Sequence, residues 1–327
     1  NKIVFQDKYS KLLIDLSTSF INLPIEQIDD AIEESLGKIS NFVGADRAYI
    51  FDYDFVNQTS SNTYEWCAKG IEAQIDQLQN IPLVSMEDWP KVHSKGEQLL
   101  IQDVFALPQG TMRNILVPQD IKSLVTLPLI EKDVCKGFVG FDAVNQQHTF
   151  TEVETTLLHL FSELLVNVSQ RKNAQEALTN ERGFLKTLIQ AIPDLVWLKD
   201  TNGIYLACNQ RFEDFFGAKE SDIIGKSDYD FIDKFLADFF RNHDQKVMQS
   251  GKANINEEEL LFVSDGHKEI LQTTKVPVYD ANKNLMGVLG VGRDITQLKL
   301  AQKEIETKEH YQRALLDNFP FLVWLKD

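Results

Sequence analysis

The sequence predicts an α+β protein of two domains, each a central antiparallel β-sheet flanked by helices, joined by a long connector helix. Three observations carry this. The 327 residues make two domains at the usual ~100 to 200 residues apiece. Helix-like and strand-like apolar periods follow one another along the chain with short turns between them. The hexapeptide LVWLKD stands at 195–200 and again at 322–327, each time after a helix-like segment that closes with a proline. A unit of helix plus domain therefore begins to repeat.

The elements follow in order. Over roughly 5–44, Leu12, Leu13, Leu16, Phe20, Ile28, Ile32, Leu36, Ile39 and Val43 fall at helical spacing and predict two helices. Residues 45–54 (ADRAYIFDYD) and 60–70 (SSNTYEWCAKG) alternate polar with aromatic or β-branched residues, as neighbouring strands do. Apolar runs at 97–104, 123–130 and 137–144 predict three more strands, the last two forming a hairpin around EKDVCK. Thr151 and Glu154 have the spacing of a capping box and open a helix with a stripe at Val153, Leu157, Leu160, Phe161, Leu164, Leu165 and Val168. No strong breaker follows until about Ala191. Gly183 alone costs a helix only about 1 kcal/mol relative to alanine. The helix is therefore expected to run on as an exposed connector, pairing through Ala174, Ala177, Leu178, Phe184, Leu185 and Leu188 with a second copy of the chain.

Beyond it come strand LVWLKD, the turn Thr201-Asn202-Gly203, strand IYLACN, and short helices around FEDFFG and SDIIG. A longer helix spans about 233–249 and stops at Ser250-Gly251. Three strands follow: NINEEELLF, KEILQTTKVPVYD and NLMGVLGVGRDIT. The domains are expected at 1–170 and 192–297. Residues 171–191 form the connector, and 298–327 form a second connector helix with the first strand of a further module, at which the chain is read as truncated.

With 33 basic against 49 acidic residues, the formal net charge is −16. That excludes nucleic acid as an expected partner, since phosphate binding draws on clustered Lys and Arg. No apolar window approaches the ~18 to 20 residues of a membrane span, so this segment is expected to make no membrane contact. Cys67, Cys135 and Cys208 show no metal-ligand spacing and suit a reducing cytoplasm. No nucleophile elbow, HExxH, Walker loop or kinase phosphoacceptor motif occurs, so the segment itself is expected to be non-catalytic.

The stretches WLKDTNG, NQRFEDFFG, IIGKSDYDF, KVPVYDANKNLMG and GVGRDIT together resemble the PAS family over about residues 185–297. The stretches GADRAYIFDYD, SNTYEWCAKGIEAQIDQLQNIP, DVFALPQG and IKSLVTLPLIEKDVCKGFVGFDAVNQQHTF resemble a GAF domain of the kind joined to bacterial sensor kinases. The resemblance covers nearly the whole chain. It implies two folds whose sheet face or cleft can hold a small ligand, in the input half of a sensor.

Departures from these families narrow the ligand. The GAF-like part lacks the NKFDE signature of cyclic-nucleotide binders and the Cys-His dipeptide of bilin binders, which disfavours both. His243 stands where oxygen-sensing haem PAS proteins present a proximal histidine, but Arg241 and Asn242 mark a solvated turn, which disfavours haem. The order Ala207-Cys208-Asn209-Gln210-Arg211-Phe212 differs from the Asn-Cys-Arg-Phe run of photoactive flavin domains, which disfavours flavin.

Aromatic walls with a few polar groups suit a small-ligand cleft. On that ground Tyr64, Trp66, Cys67 and Trp89 are the candidates of the first domain. Trp197, Asn209, Phe212, Phe216, Tyr229 and Thr274 are those of the second. The ordinary alternative is that these residues form the cores.

The expected function is a sensory input segment that relays binding through its connector helices to an effector. For that effector the GAF resemblance implies a sensor histidine kinase whose dimer passes phosphate to a response regulator. The alternatives are a diguanylate cyclase or phosphodiesterase output, and ligand-free dimerisation and spacing modules.

Overall fold

A computed structural model describes residues 2–21 and 23–318. The second LVWLKD lies outside the described residues. Contacts divide the chain into two compact units at 179/180.

The first unit runs α1 (Lys2–Ile21), α2 (Ile28–Val43), β1 (Arg47–Asp54), β2 (Thr59–Cys67), β3 (Ile81–Pro82), α3 (Asp88–His93), β4 (Leu99–Ile101), α4 (Thr111–Leu116), β5 (Ser123–Glu131) and β6 (Val134–Ala143). α5 (Glu152–Ala191) begins in it and continues past the 179/180 division. Its sheet is six-stranded in the order β3-β2-β1-β6-β5-β4, and every pairing in it is antiparallel. Because strand side chains alternate between faces, Ala48 and Ile50 of β1 join a core with α1, α2 and α5. Tyr49, Phe51 and Tyr53 join a second core on the opposite face. Both faces of the central strands are covered, which is why β1, β5 and β6 are buried almost throughout.

The helices on the first face are tied at one level. Arg171 of α5 donates to the carbonyls of Phe20, Ile21 and Leu23 at 2.6, 3.1 and 2.9 Å, where α1 ends. Lys172 is 2.6 Å from Asp29 of α2. The expected capping box opens α5: Thr151 N donates to Glu154 at 2.7 Å and Glu154 N to the Thr151 hydroxyl at 3.3 Å. The uninterrupted run to Ala191 also forms, and no residue of α5 beyond Val168 is buried.

Two expectations are corrected, and one stretch carries elements that were not expected. The run at 97–104 forms only the three-residue β4. The β5–β6 hairpin turns on Lys132 and Asp133 alone, both with positive φ of 48° and 65°, so the strands continue through Glu131 and Val134. Residues 71–121 hold α3, α4 and β3, which no periodicity announces.

The second unit comprises β7 (Leu195–Asp200), β8 (Tyr205–Cys208), α6 (Gln210–Phe216), α7 (Glu220–Ile223), α8 (Lys234–Ser250), β9 (Asn254–Leu261), β10 (Lys268–Tyr279), β11 (Leu285–Asp294) and α9 (Thr296–Asn318). Its antiparallel sheet has the order β8-β7-β11-β10-β9. Asn209 caps α6 and Gly251 closes α8 in a left-handed conformation. The core gathers Trp197, Tyr205, Phe212, Phe215, Phe216, Phe240 and Phe262 around the inner sheet face.

Candidate functional site

On the sheet face away from its long helices, the first unit encloses a cavity of about 300 Å³. Tyr49, Phe51 and Phe138 form its floor. Leu78, Ile81, Met86, Trp89, Ile115, Leu116 and Ile121 roof it from the irregular segment between β2 and β5. The walls are largely apolar, with Ser85 in the lining and the charged and amide groups of Arg47, Glu65, Gln119 and Asp142 gathered at one end.

That end is built by strand register. Arg47 opposes Asp142 across β1 and β6, and Tyr49 opposes Glu65 across β1 and β2. The Arg47 Nη2 and Nε donate to Asp142 Oδ2 at 2.7 and 3.2 Å, and Nη2 also reaches Gln119 Oε1 at 3.1 Å. Tyr49 donates its hydroxyl to Asp142 Oδ1 at 2.8 Å. Burial pushes the fully buried Asp142 carboxyl above its ordinary range, although the guanidinium of Arg47 pulls the other way. Burial also raises the Tyr49 phenol, and the charge of Asp142 adds to it. Glu65 Oε2 accepts from the backbone N–H of Gln74 at 2.7 Å and of Ile75 at 2.9 Å. Its other oxygen, Oε1, is buried and meets no hydrogen-bond partner among the described residues.

The candidates of the first unit are divided between the two faces. Trp89 is buried and lines the cavity. Tyr64 and Trp66 oppose Ile50 and Ala48 and so face the helices. The Tyr64 hydroxyl donates to Asp29, and Trp66 lies against Gly37 of α2. Cys67 opposes Arg47 on the cavity side but is not among the lining residues. Burial, with the charge of Glu65 behind it, pushes its thiol up to about 11. Trp66 and Cys67 are consecutive strand residues and so cannot share a face. The residue that sequence reasoning passed over is Glu65, between Tyr64 and Trp66.

In the second unit the matching space is only about 20 Å³, roughly the room of one water. Trp197 and Phe212 line it together with Lys199, Asp228 and Lys275. Lys199 pairs with Asp228 and, at 3.2 Å, with Asp244. Lys275 pairs with Asp244 at 2.6 Å, and Tyr205 donates to Asp228 at 2.6 Å. All four charged residues are no more than 2% exposed. Burial alone would raise the Asp244 carboxyl, but the ammonium groups of Lys199 and Lys275 outweigh it and hold the carboxyl below its ordinary value. Burial lowers Lys275 against the counter-pull of Asp244.

Other candidates of this unit stand outside that space. Asn209 accepts from Val196 and Phe212 and donates to the carbonyls of Ile192 and Asp194, binding the entry strand to α6. Phe216 stacks on Phe231 with centroids 4.5 Å apart. Tyr229 is exposed and donates to Asp238. Thr274 neighbours the inward-turned Thr273 and Lys275, so it lies on the other face of β10. On α8 the residue directed inward is Asp244, whereas His243 packs on Phe239 with centroids 4.3 Å apart.

Residues 189–300 match the family model of the PAS fold, PAS_4. The aerobic respiration control sensor protein ArcB of Escherichia coli is 29% identical over 126 residues, 38% of this chain and 16% of ArcB. A diguanylate cyclase of Vibrio cholerae is also 29% identical over 126 residues, 38% of this chain and 37% of that protein. The match thus spans well under half of either relative. Among solved structures, the phycocyanobilin-bound GAF domain from a cyanobacterial phytochrome is similar at a TM-score of 0.44 and 15% identity, over 51% of this chain and 96% of that one. Among the described residues no helix is long and apolar enough to cross a membrane.

Proposed function

We propose that this chain, whose residues 189–300 match the PAS fold, is the input segment of a signalling protein in which the first unit, of GAF type, is the sensor. A small molecule in its cavity would bias the packing of the connector helices, and the PAS-fold unit would pass the bias on. The observation that carries this reading is the inequality of the two spaces, about 300 Å³ against about 20 Å³. A ligand shifts a two-state equilibrium only by its differential affinity for the two states, and of these two spaces only the first admits a molecule with many contacts to change.

The relay is proposed to be a parallel homodimer. Leu178 and Leu185 stand seven residues apart on α5 with Leu188 three residues further on, and all three are exposed by 40 to 50%. That spacing is the seam of a two-stranded coiled coil, which a second copy of the chain would cover. For the output, likeness to a sensor protein such as ArcB favours a histidine kinase of a two-component system, with a response regulator as its partner. Likeness to a diguanylate cyclase supports that enzyme as the second reading.

The test is to fill the cavity. Ile115→Trp places an indole into the space from the half-buried face of α4. In the full-length protein the variant is expected to lock the output at one level, while melting as cooperatively as the unsubstituted protein. An output regulated as before would overturn the reading.

A further inference from the structure

The polar end of the first unit's cavity is charged unevenly. It carries two carboxylates, Glu65 and Asp142, against the single guanidinium of Arg47. Arg47 is already engaged by Asp142 and Gln119, and Asp142 has both oxygens occupied, one by Arg47 and one by Tyr49. Glu65 is different. One of its oxygens is held by two backbone N–H groups, which fix the carboxylate in place, while the other is buried without a donor among the described residues. Leaving a buried acceptor unsatisfied is costly, more so for a charged group. A molecule that brings a donor to this oxygen removes that cost. One that brings a second acceptor or a negative charge adds to it.

We infer that the cavity takes a small, largely apolar molecule ending in a hydrogen-bond donor, of the class of aromatic or branched primary amines, with its ammonium or N–H group on Glu65 Oε1 and its apolar body between Tyr49, Phe138, Trp89 and Leu116. Carboxylate-ended molecules of the same body are discriminated against. Arg47 offers them less than a free guanidinium would, because its Nε and Nη2 donors are spent on Asp142 and Gln119, which leaves Nη1. The inference rests on the reading of this cavity as the sensing site and specifies what that site accepts.

Three probes on one indole frame test it: tryptamine, 3-ethylindole and indole-3-acetate, titrated calorimetrically into the 327-residue chain and into Glu65→Gln. A hydrogen bond to a charged group is worth about 1.5 to 3 kcal/mol, so tryptamine is expected to bind roughly 10- to 100-fold more tightly than indole-3-acetate. In Glu65→Gln the amide oxygen can keep the two backbone bonds while the NH2 faces the cavity. Tryptamine should then lose its advantage, and 3-ethylindole should be unchanged. Indole-3-acetate binding as well as tryptamine, a preference for tryptamine indifferent to Glu65→Gln, or no binding by any of the three overturns the ligand class. Should Glu65→Gln fail to fold, the ranking in the unsubstituted chain still decides. Failure of the sensing reading is seen separately, as an output indifferent to Ile115→Trp.

Discussion

Tyr49 lies across Gly140, its register partner on the neighbouring strand, so closely that a Cβ on Gly140 would stand 2.1 Å from the Tyr49 ring. The second unit repeats the device: a Cβ on Gly290 would come within 2.3 Å of the ring of its partner Trp197. In each unit a glycine on a central strand lets an aromatic side chain lie over the sheet beside the cavity.

Gly140→Ala is therefore expected to displace Tyr49 and loosen its bond to Asp142, at a cost of about 1 to 3 kcal/mol, the usual range for overpacking a filled core. Urea denaturation checks this. Gly183→Ala, at an exposed helix position with open space around it, should instead be neutral or stabilising by up to about 1 kcal/mol.

His93 supplies a pH dependence. It is fully buried between the Tyr53 hydroxyl and the Thr126 hydroxyl, each 2.9 Å away, and burial pushes its imidazole down from 6.5 to about 4. Above about 6.5 neither state binds this proton. As pH falls below that, the unfolded chain takes up a proton that the folded one refuses, and stability is lost until about pH 4. The full loss from this group is about 3 kcal/mol. Melting temperatures from pH 7 to 4.5 should fall less steeply in His93→Asn than in the unsubstituted protein; parallel curves would count against the assignment.

The buried quartet of the second unit should not tolerate losing its shared anion. Asp244→Ala leaves Lys199 and Lys275, each 2% exposed, with Asp228 as the one carboxylate of the quartet. Breaking a buried pair in this way costs about 3 to 5 kcal/mol. Chemical denaturation measures it, and a loss below about 1 kcal/mol would mean that the lysines find water.

The connector yields a geometric prediction. One residue inserted after Asn180 rotates everything beyond it by about 100° and is expected to uncouple input from output in the full-length protein. Seven inserted residues restore the seam and should restore regulation. Leu185→Glu should shift the segment from dimer to monomer in light scattering; a dimer that persists would place its interface elsewhere.

Much of the scaffold was legible because its signals are local. Thr151 and Glu154 announce their cap, and the apolar stripe that follows announces α5. The cavity was not legible, since its roof comes from residues 78–121, where α3 and α4 have six residues each, too few for a helical period to show. Glu65 was hidden by the aromatic residues beside it, which face the helices rather than this cavity. Nothing local in the sequence marks Lys199 and Lys275 as buried. Only long-range pairing with Asp228 and Asp244, 29 and 31 residues distant respectively, explains why they are inside.

Two adjacent residues of α5, Arg171 and Lys172, hold the two helices that share its face of the sheet, one at the last carbonyls of α1 and the other at Asp29 of α2. They act as a clamp at the level where α5 leaves the core. A twist of α5 about its own axis would have to strip both tethers at once, whereas a tilt or slide of the three helices as a body keeps them. On the proposed relay, a signal leaving this unit along α5 is therefore a displacement geared to three helices, and cutting Arg171 leaves the shaft with a single tether, Lys172 on Asp29.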